Sequence, residues 1–122
     1  MTDEKFKAAP LKSLITIEEL NKADIRVGTI VLVEDVSGSN RLVRLRVDFG
    51  DHQRSILAGL KQERPDPRML EGMQALFVVN LEPRKMMGEI SEGMLFDIGY
   101  ADGVEPVLAV PESNVPDGTR AG

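Results

Sequence analysis

Arg41, Arg44, Arg46, Arg84 and Lys85 are the residues whose type and spacing suggest chemistry, and that chemistry is the holding of anions. Arg44 and Arg46 alternate with Val43, Leu45, Val47 and Phe49, so an extended chain puts both guanidinium groups on one face and the apolar groups on the other. Arg41 precedes this run, and Arg84-Lys85 stand in a polar stretch further along. Each cation can neutralise one phosphate and release a counterion. The plainer alternative for arginines on a strand face is solvation alone.

The remaining side chains offer no reaction. There is no cysteine, which removes disulfides, thiolate metal sites and a thiol nucleophile. The single histidine, His52, lies in Gly50-Asp51-His52-Gln53, a turn composition, and no serine motif accompanies it. Gly28 and Gly38 lack the Lys-Ser/Thr continuation that a phosphate-cradling loop requires. The carboxylates form no spaced acid–base pair. The expectation is a protein without catalytic residues, metal or cofactor.

A net charge of −5 argues against a polyanionic partner, but the distribution is uneven. From Lys22 to Lys85 eleven Lys/Arg face nine Asp/Glu, whereas from Ser91 onward Arg120 alone faces six acids. A local basic face can therefore exist on an acidic molecule. Lys5, Lys7 and Lys12 interrupt the first seventeen residues, and no apolar run is long enough to span a bilayer. The expectation is a cytoplasmic protein with no membrane association.

The elements that must position these cations follow from periodicity. Residues 1–14 read as a flexible arm. Thr16-Ile17-Glu18-Glu19 is a capping box and predicts one short helix. Strands are expected at Ile25–Val36, with Gly28 a bulge or close approach, then at Arg41–Phe49, Arg54–Leu60, Met73–Leu81 and Ile90–Ile98. Turns fall at Ser37–Asn40 and Gly50–His52, Pro65 and Pro67 punctuate the stretch Lys61–Gly72, and Glu82–Gly88 reads as a polar loop. Five strands with their one sizeable insertion between the third and fourth fit an all-β fold, a five-stranded barrel of the oligonucleotide-binding (OB) type. An immunoglobulin-like sandwich needs about seven strands. One domain over 15–122 is expected. Val104, Val107, Leu108, Val110 and Val115, in the extension from about residue 100, must be buried somewhere, and a second copy is the expected cover.

In such barrels the ligand lies across strands two and three, gripped by the loops between strands one and two and between four and five. Arg41, Arg44, Arg46, Arg84 and Lys85 converge there on this assignment. The aromatic residues are few: Phe6, Phe49, Phe77, Phe96 and Tyr100. Phe49 and Phe77 fall at core positions, leaving little to stack splayed bases, so contacts to backbone and shape should dominate. Met86 and Met87, beside Arg84-Lys85, are candidates for contact with a ligand or a second copy.

Four segments in order carry a resemblance: Asp24-Ile25-Arg26-Val27-Gly28, Leu45-Arg46-Val47-Asp48-Phe49-Gly50, Asn80-Leu81-Glu82-Pro83-Arg84-Lys85-Met86-Met87-Gly88 and Ser91-Glu92-Gly93-Met94-Leu95. Together they resemble the dimeric tRNA-binding domain family, which includes the C-terminal extension of many bacterial methionyl-tRNA synthetases and free-standing tRNA-binding proteins. The likeness implies a dimer that binds tRNA, alone or assisting a synthetase in trans, with contacts at Arg41, Asn80, Arg84, Lys85, Ser91 and Met94. Relatives usually carry a His-Pro-Asn-Ala-Asp-Lys-like first loop, where this chain has Val36-Ser37-Gly38-Ser39-Asn40-Arg41. Two other functions stand open: a chaperone-like peptide binder of the same fold, and a dimerisation adaptor.

Overall fold

Alternation in the second strand builds the barrel wall: Val43, Leu45 and Val47 are buried while Arg44 and Arg46 point outward. The computed structural model describes residues 6–122; the first five residues of the expected arm lie outside them. Residues 6–15 are exposed and irregular. The helix α1 (Ile17–Leu20) follows, with both halves of its capping box formed: Glu19 N donates to Thr16 Oγ1 and Thr16 N to Glu19 Oε1, each at 3.0 Å.

Four long strands come next, β1 (Ile25–Asp35), β2 (Val43–Asp48), β3 (Gln53–Ala58) and β4 (Gln74–Val78). A 3-10 turn at Pro67–Leu70 occupies the insertion before β4. The fifth strand expected over Ile90–Ile98 is divided. A hairpin pairs β5 (Arg84–Met86) with β6 (Glu89–Ser91), then β7 (Met94–Leu95) pairs with β4, and β8 (Asp97–Ile98) pairs with β9 (Val107–Leu108). The break falls at Gly93, where a Cβ would lie 2.8 Å from Val78 O, so the chain meets β4 backbone there and cannot run on beside a single partner. The polar loop expected at Glu82–Gly88 accordingly contains one arm of a hairpin.

The main sheet runs β3-β2-β1-β4-β7, all antiparallel. It nearly closes on itself, because Glu92 N donates to Ser55 O of β3 at 2.9 Å. Arg54 clamps the same seam through Val79 O and Glu92 O. This is the five-stranded OB-type barrel. Ile30, Leu45, Val47, Ile56, Phe77 and Leu95 fill its interior, and each fully buried large aliphatic or aromatic side chain contributes about 1.5–3 kcal/mol.

Gly28 proves to be a close approach: a Cβ there would sit 2.6 Å from Val47 Cγ1 and 2.8 Å from Phe49 Cε1. The irregularity in β1 lies later, between Ile30 and Leu32.

The C-terminal extension folds back on its own barrel. Strand β10 (Arg120–Ala121) pairs with Ile25 and Arg26 of β1. Gly118 N donates to Val27 O and Val27 N to Thr119 O. Leu108 enters the core and Val115 is tied by its backbone to the Gln74 side chain. Val104, Val107 and Val110 remain exposed. No described helix is long and apolar enough to cross a membrane.

Candidate nucleic-acid interface

The β5–β6 hairpin decides where two of the five cations go, and three contacts seat it on the barrel's outer face. Met86 packs against a small second cluster of Val36, Leu42 and Leu57. Ser91, 3% exposed, accepts from Leu57 N on β3 and donates to Gly93 O, both at 3.0 Å. Glu89 takes a short ion pair from Arg44 on β2. Arg84 and Lys85 are left exposed on the seated hairpin.

The first loop, residues 36–42, is held as firmly. Lys61 Nζ donates to Ser39 O at 2.6 Å and to Val36 O at 3.4 Å, and forms an ion pair with Asp35. Lys61 N donates to Arg41 O, and Ser39 Oγ accepts from the backbone of Arg41 and Leu42. Arg41 extends over Gly59, where a Cβ would meet its Nη1 at 2.9 Å and its Cγ at 3.2 Å. A side chain at 59 would lift the guanidinium away.

The structure therefore brings Arg41 on the first loop together with the hairpin that carries Arg84 and Lys85. Arg46 lies exposed on β2, two residues beyond Arg44. Arg44 differs from the rest: Nε donates to Glu34 Oε1 at 3.1 Å while Nη1 reaches Glu89. Hydrogen bonding to Glu89, and then to Glu34, raises its pKa further above the usual arginine value. The trio carries net negative charge, so Arg44 latches the hairpin in the free protein.

Of three further expected contact positions, two have other structural work. Asn80 Oδ1 accepts from Asp24 N at 2.7 Å and Nδ2 donates to Lys22 O at 2.6 Å, which fixes the entry to β1. Ser91, a contact position that the resemblance implies, is buried with its hydroxyl donating to Gly93 O. Met94 sits exposed on β7 opposite Val78. Sequence reasoning did not single out Lys61, Gly59 or Glu89. Nothing in their local sequence marks them, because the partners of the Lys61 and Glu89 side chains lie at least 22 and 45 residues away, respectively.

His52 is a turn residue in the structure too. Its ring stacks on Phe49, 5.6 Å between centroids, with Nδ1 2.6 Å from Asp51 Oδ1 and Nε2 accepting from Arg54 Nε. Among the described residues no group of three or more histidine, aspartate or glutamate side chains is arranged to hold a metal ion.

A family model for the tRNA binding domain matches residues 25–120, from the first residue of β1 into β10. The chain belongs to the tRNA-binding domain family. This family member is 37% identical over 117 residues to a methionine–tRNA ligase of Nitrosomonas europaea, a match that covers 96% of the chain but only 16% of that ligase. Among solved structures it superposes on a MetRS-related protein from Pyrococcus horikoshii with a TM-score of 0.83 at 33% identity, covering 91% of this chain and all of that one. It also superposes on the chaperone CsaA from Bacillus anthracis with a TM-score of 0.76 at 26% identity, covering 90% of this chain and all of that one.

Proposed function

We propose that this chain is a non-catalytic module that binds structured tRNA through its sugar–phosphate backbone, acting as a homodimer, free-standing or beside an aminoacyl-tRNA synthetase. The observation that carries the reading is the seating of the β5–β6 hairpin beside the first loop: Met87 of the hairpin and Arg41 of the loop line one recess, and Arg84 and Lys85 are exposed further along the hairpin. Arg46 continues the basic surface along β2. Side chains of this kind suit phosphate, and sequence-independent contacts of this kind position a nucleic acid without reading it. Phe49 and Phe77 are buried in the barrel, so the outer face of β2 and β3 has no aromatic platform for a run of stacked bases. Asn80, Ser91 and Arg44 serve the site by holding its elements, and Met94 offers an apolar contact at its margin.

The dimer is supported by apolar surface that the single chain leaves uncovered. Leu11 and Leu14 are fully exposed, and Ile15, Ile17, Leu20, Ile98, Tyr100, Val104, Val107 and Val110 are 45–76% exposed. Ala9 N donates to Asp102 Oδ1, which ties the arm to the C-terminal extension and makes the two parts neighbours. Exposed apolar side chains in this number are the material of an interaction face.

Titration of bulk tRNA at several salt concentrations tests the RNA reading. A clear negative slope of log affinity against log salt is expected, and a flat plot defeats it. Replacing Arg84 and Lys85 together by alanine should reduce the slope by about two contacts. The likeness to CsaA favours a second reading, a chaperone-like peptide binder. Suppression of client aggregation that persists at high salt and in the Arg84/Lys85 variant would select it.

A further inference from the structure

Met87 and Gly88 form the two-residue turn of the β5–β6 hairpin, and both have positive φ, 51° and 79°. That is the backbone of a type I′ turn, whose first position favours asparagine, aspartate or glycine because other side chains are strained there. Met87 is the one non-glycine with positive φ among the described residues. Its side chain does not recover the strain by packing. Met86 takes the apolar seat on Val36, Leu42 and Leu57, while Met87 stays 58% exposed. It forms one wall of an open recess of about 610 Å³ whose other walls are Gly38, Ser39, Asn40, Arg41 and Leu42.

We propose that this recess takes a single unpaired nucleobase of the bound RNA, adding one base contact to an interface otherwise made to phosphate. The inference rests on the RNA-binding reading above. The recess falls within the range usual for small-ligand sites, roughly 300–1,000 Å³. The Met87 thioether is polarizable and suits the face of an aromatic ring. Asn40, exposed at the loop tip, carries both a donor and an acceptor for a base edge. Arg41, on the same wall, meets the flanking phosphate. Gly38 adds no side chain, and the space where its Cβ would stand is open to 4 Å. An aliphatic side chain of a peptide would leave Asn40 and Arg41 unmatched, which favours the base.

The test uses the full chain with three probes: an RNA stem-loop carrying 2-aminopurine in its loop, a blunt RNA duplex with the same number of phosphates, and a fluorescein-labelled apolar peptide. Met87→Asn puts the preferred residue into the turn, so its melting temperature should hold or rise. Stem-loop affinity should fall about three- to tenfold, with duplex affinity and salt slope unchanged. Asn40→Ala, on the opposite wall, should give the same selective loss. Equal loss for both RNAs, no loss for either, or a lower melting temperature for Met87→Asn would overturn the proposal. Weakened peptide binding with both RNAs spared would also overturn it and assign the recess to a peptide. Failure of the wild-type chain to bind tRNA, stem-loop and duplex alike would sink the RNA reading itself, a result distinct from these.

Discussion

Arg44 on β2 donates to Glu89 on the β5–β6 hairpin while its Nε remains on Glu34 of β1. One guanidinium thus ties two strands of the barrel to the element that carries Arg84 and Lys85. Because two carboxylates surround it, Arg44 is not available to phosphate in the free protein. Glu89→Gln keeps a hydrogen-bonding side chain and removes one of the two charges. The variant should bind tRNA more tightly and steepen the salt slope by about 0.9, the value of one added phosphate contact. Glu105→Gln, an exposed acid in the C-terminal extension, is the control for a general charge effect. Equal slopes in the two variants would show that Arg44 plays no part in RNA contact.

Gly28 of β1 lies directly against side chains of the barrel core. Gly28→Ala would put a methyl group 2.6 Å from Val47 Cγ1 and 2.8 Å from the Phe49 ring, both in the barrel core. Neither neighbour is the free end of a flexible chain, so the strands must separate. The expected loss is about 1–3 kcal/mol, read by chemical denaturation. An unchanged midpoint would show that the core yields more easily than its packing suggests.

Asp24 joins the two ends of the matched region. Its carboxylate accepts from Arg26 Nε at 3.0 Å, Arg26 Nη2 at 3.1 Å and Arg120 Nε at 3.1 Å, which pins β10 to β1. These bonds, Arg26 first and then Arg120, hold its pKa at about 2 against an ordinary 3.8. A depressed folded-state pKa contributes stability that is intact above about 4 and lost as pH falls toward 2. Asp24→Asn should therefore cost about 1–3 kcal/mol at neutral pH, and the gap from wild type should close between pH 4 and 2. A gap that stayed constant through that window would assign the loss to something other than this carboxylate.

The barrel was legible because its signals are local. The alternation from Val43 to Phe49 fixed the inner and outer faces of β2, and Thr16 with Glu19 fixed the helix start. The hairpin does not show in the sequence, because its turn, Met87-Gly88, carries only half of the usual Asn-Gly signature. The fate of the basic residues was legible only in part. Alternation showed that Arg44 and Arg46 share a face, but which of them meets a carboxylate depends on Glu34 and Glu89, set by pairing between strands. The burial of Ser91 likewise follows from β3 lying beside the hairpin, a long-range contact that spacing does not reveal. The extension was expected to need a second copy, yet Leu108 finds its cover in the same chain through the β8–β9 pairing.

Glu63, in the insertion between β3 and β4, supplies the last prediction. Its Oε1 is buried without a hydrogen-bond partner among the described residues, and so is Asp97 Oδ1 on β8. Burial first, and the neighbouring Asp97 carboxyl second, push the pKa of Glu63 up to about 7, with Arg64 opposing. A folded-state value raised above the ordinary 4.5 means that the stabilising contribution is complete below about 4.5 and lost as pH rises through 7. Glu63→Gln imitates the protonated form and should remove that dependence. Its melting temperature relative to wild type should rise steadily between pH 4.5 and 7 and level off above. Asp97→Asn, which leaves Glu63 an amide partner, should shift the same profile. A wild-type profile parallel to that of Glu63→Gln across this range would show that the pair holds no proton at neutral pH, and that the insertion is fastened to β8 by other contacts.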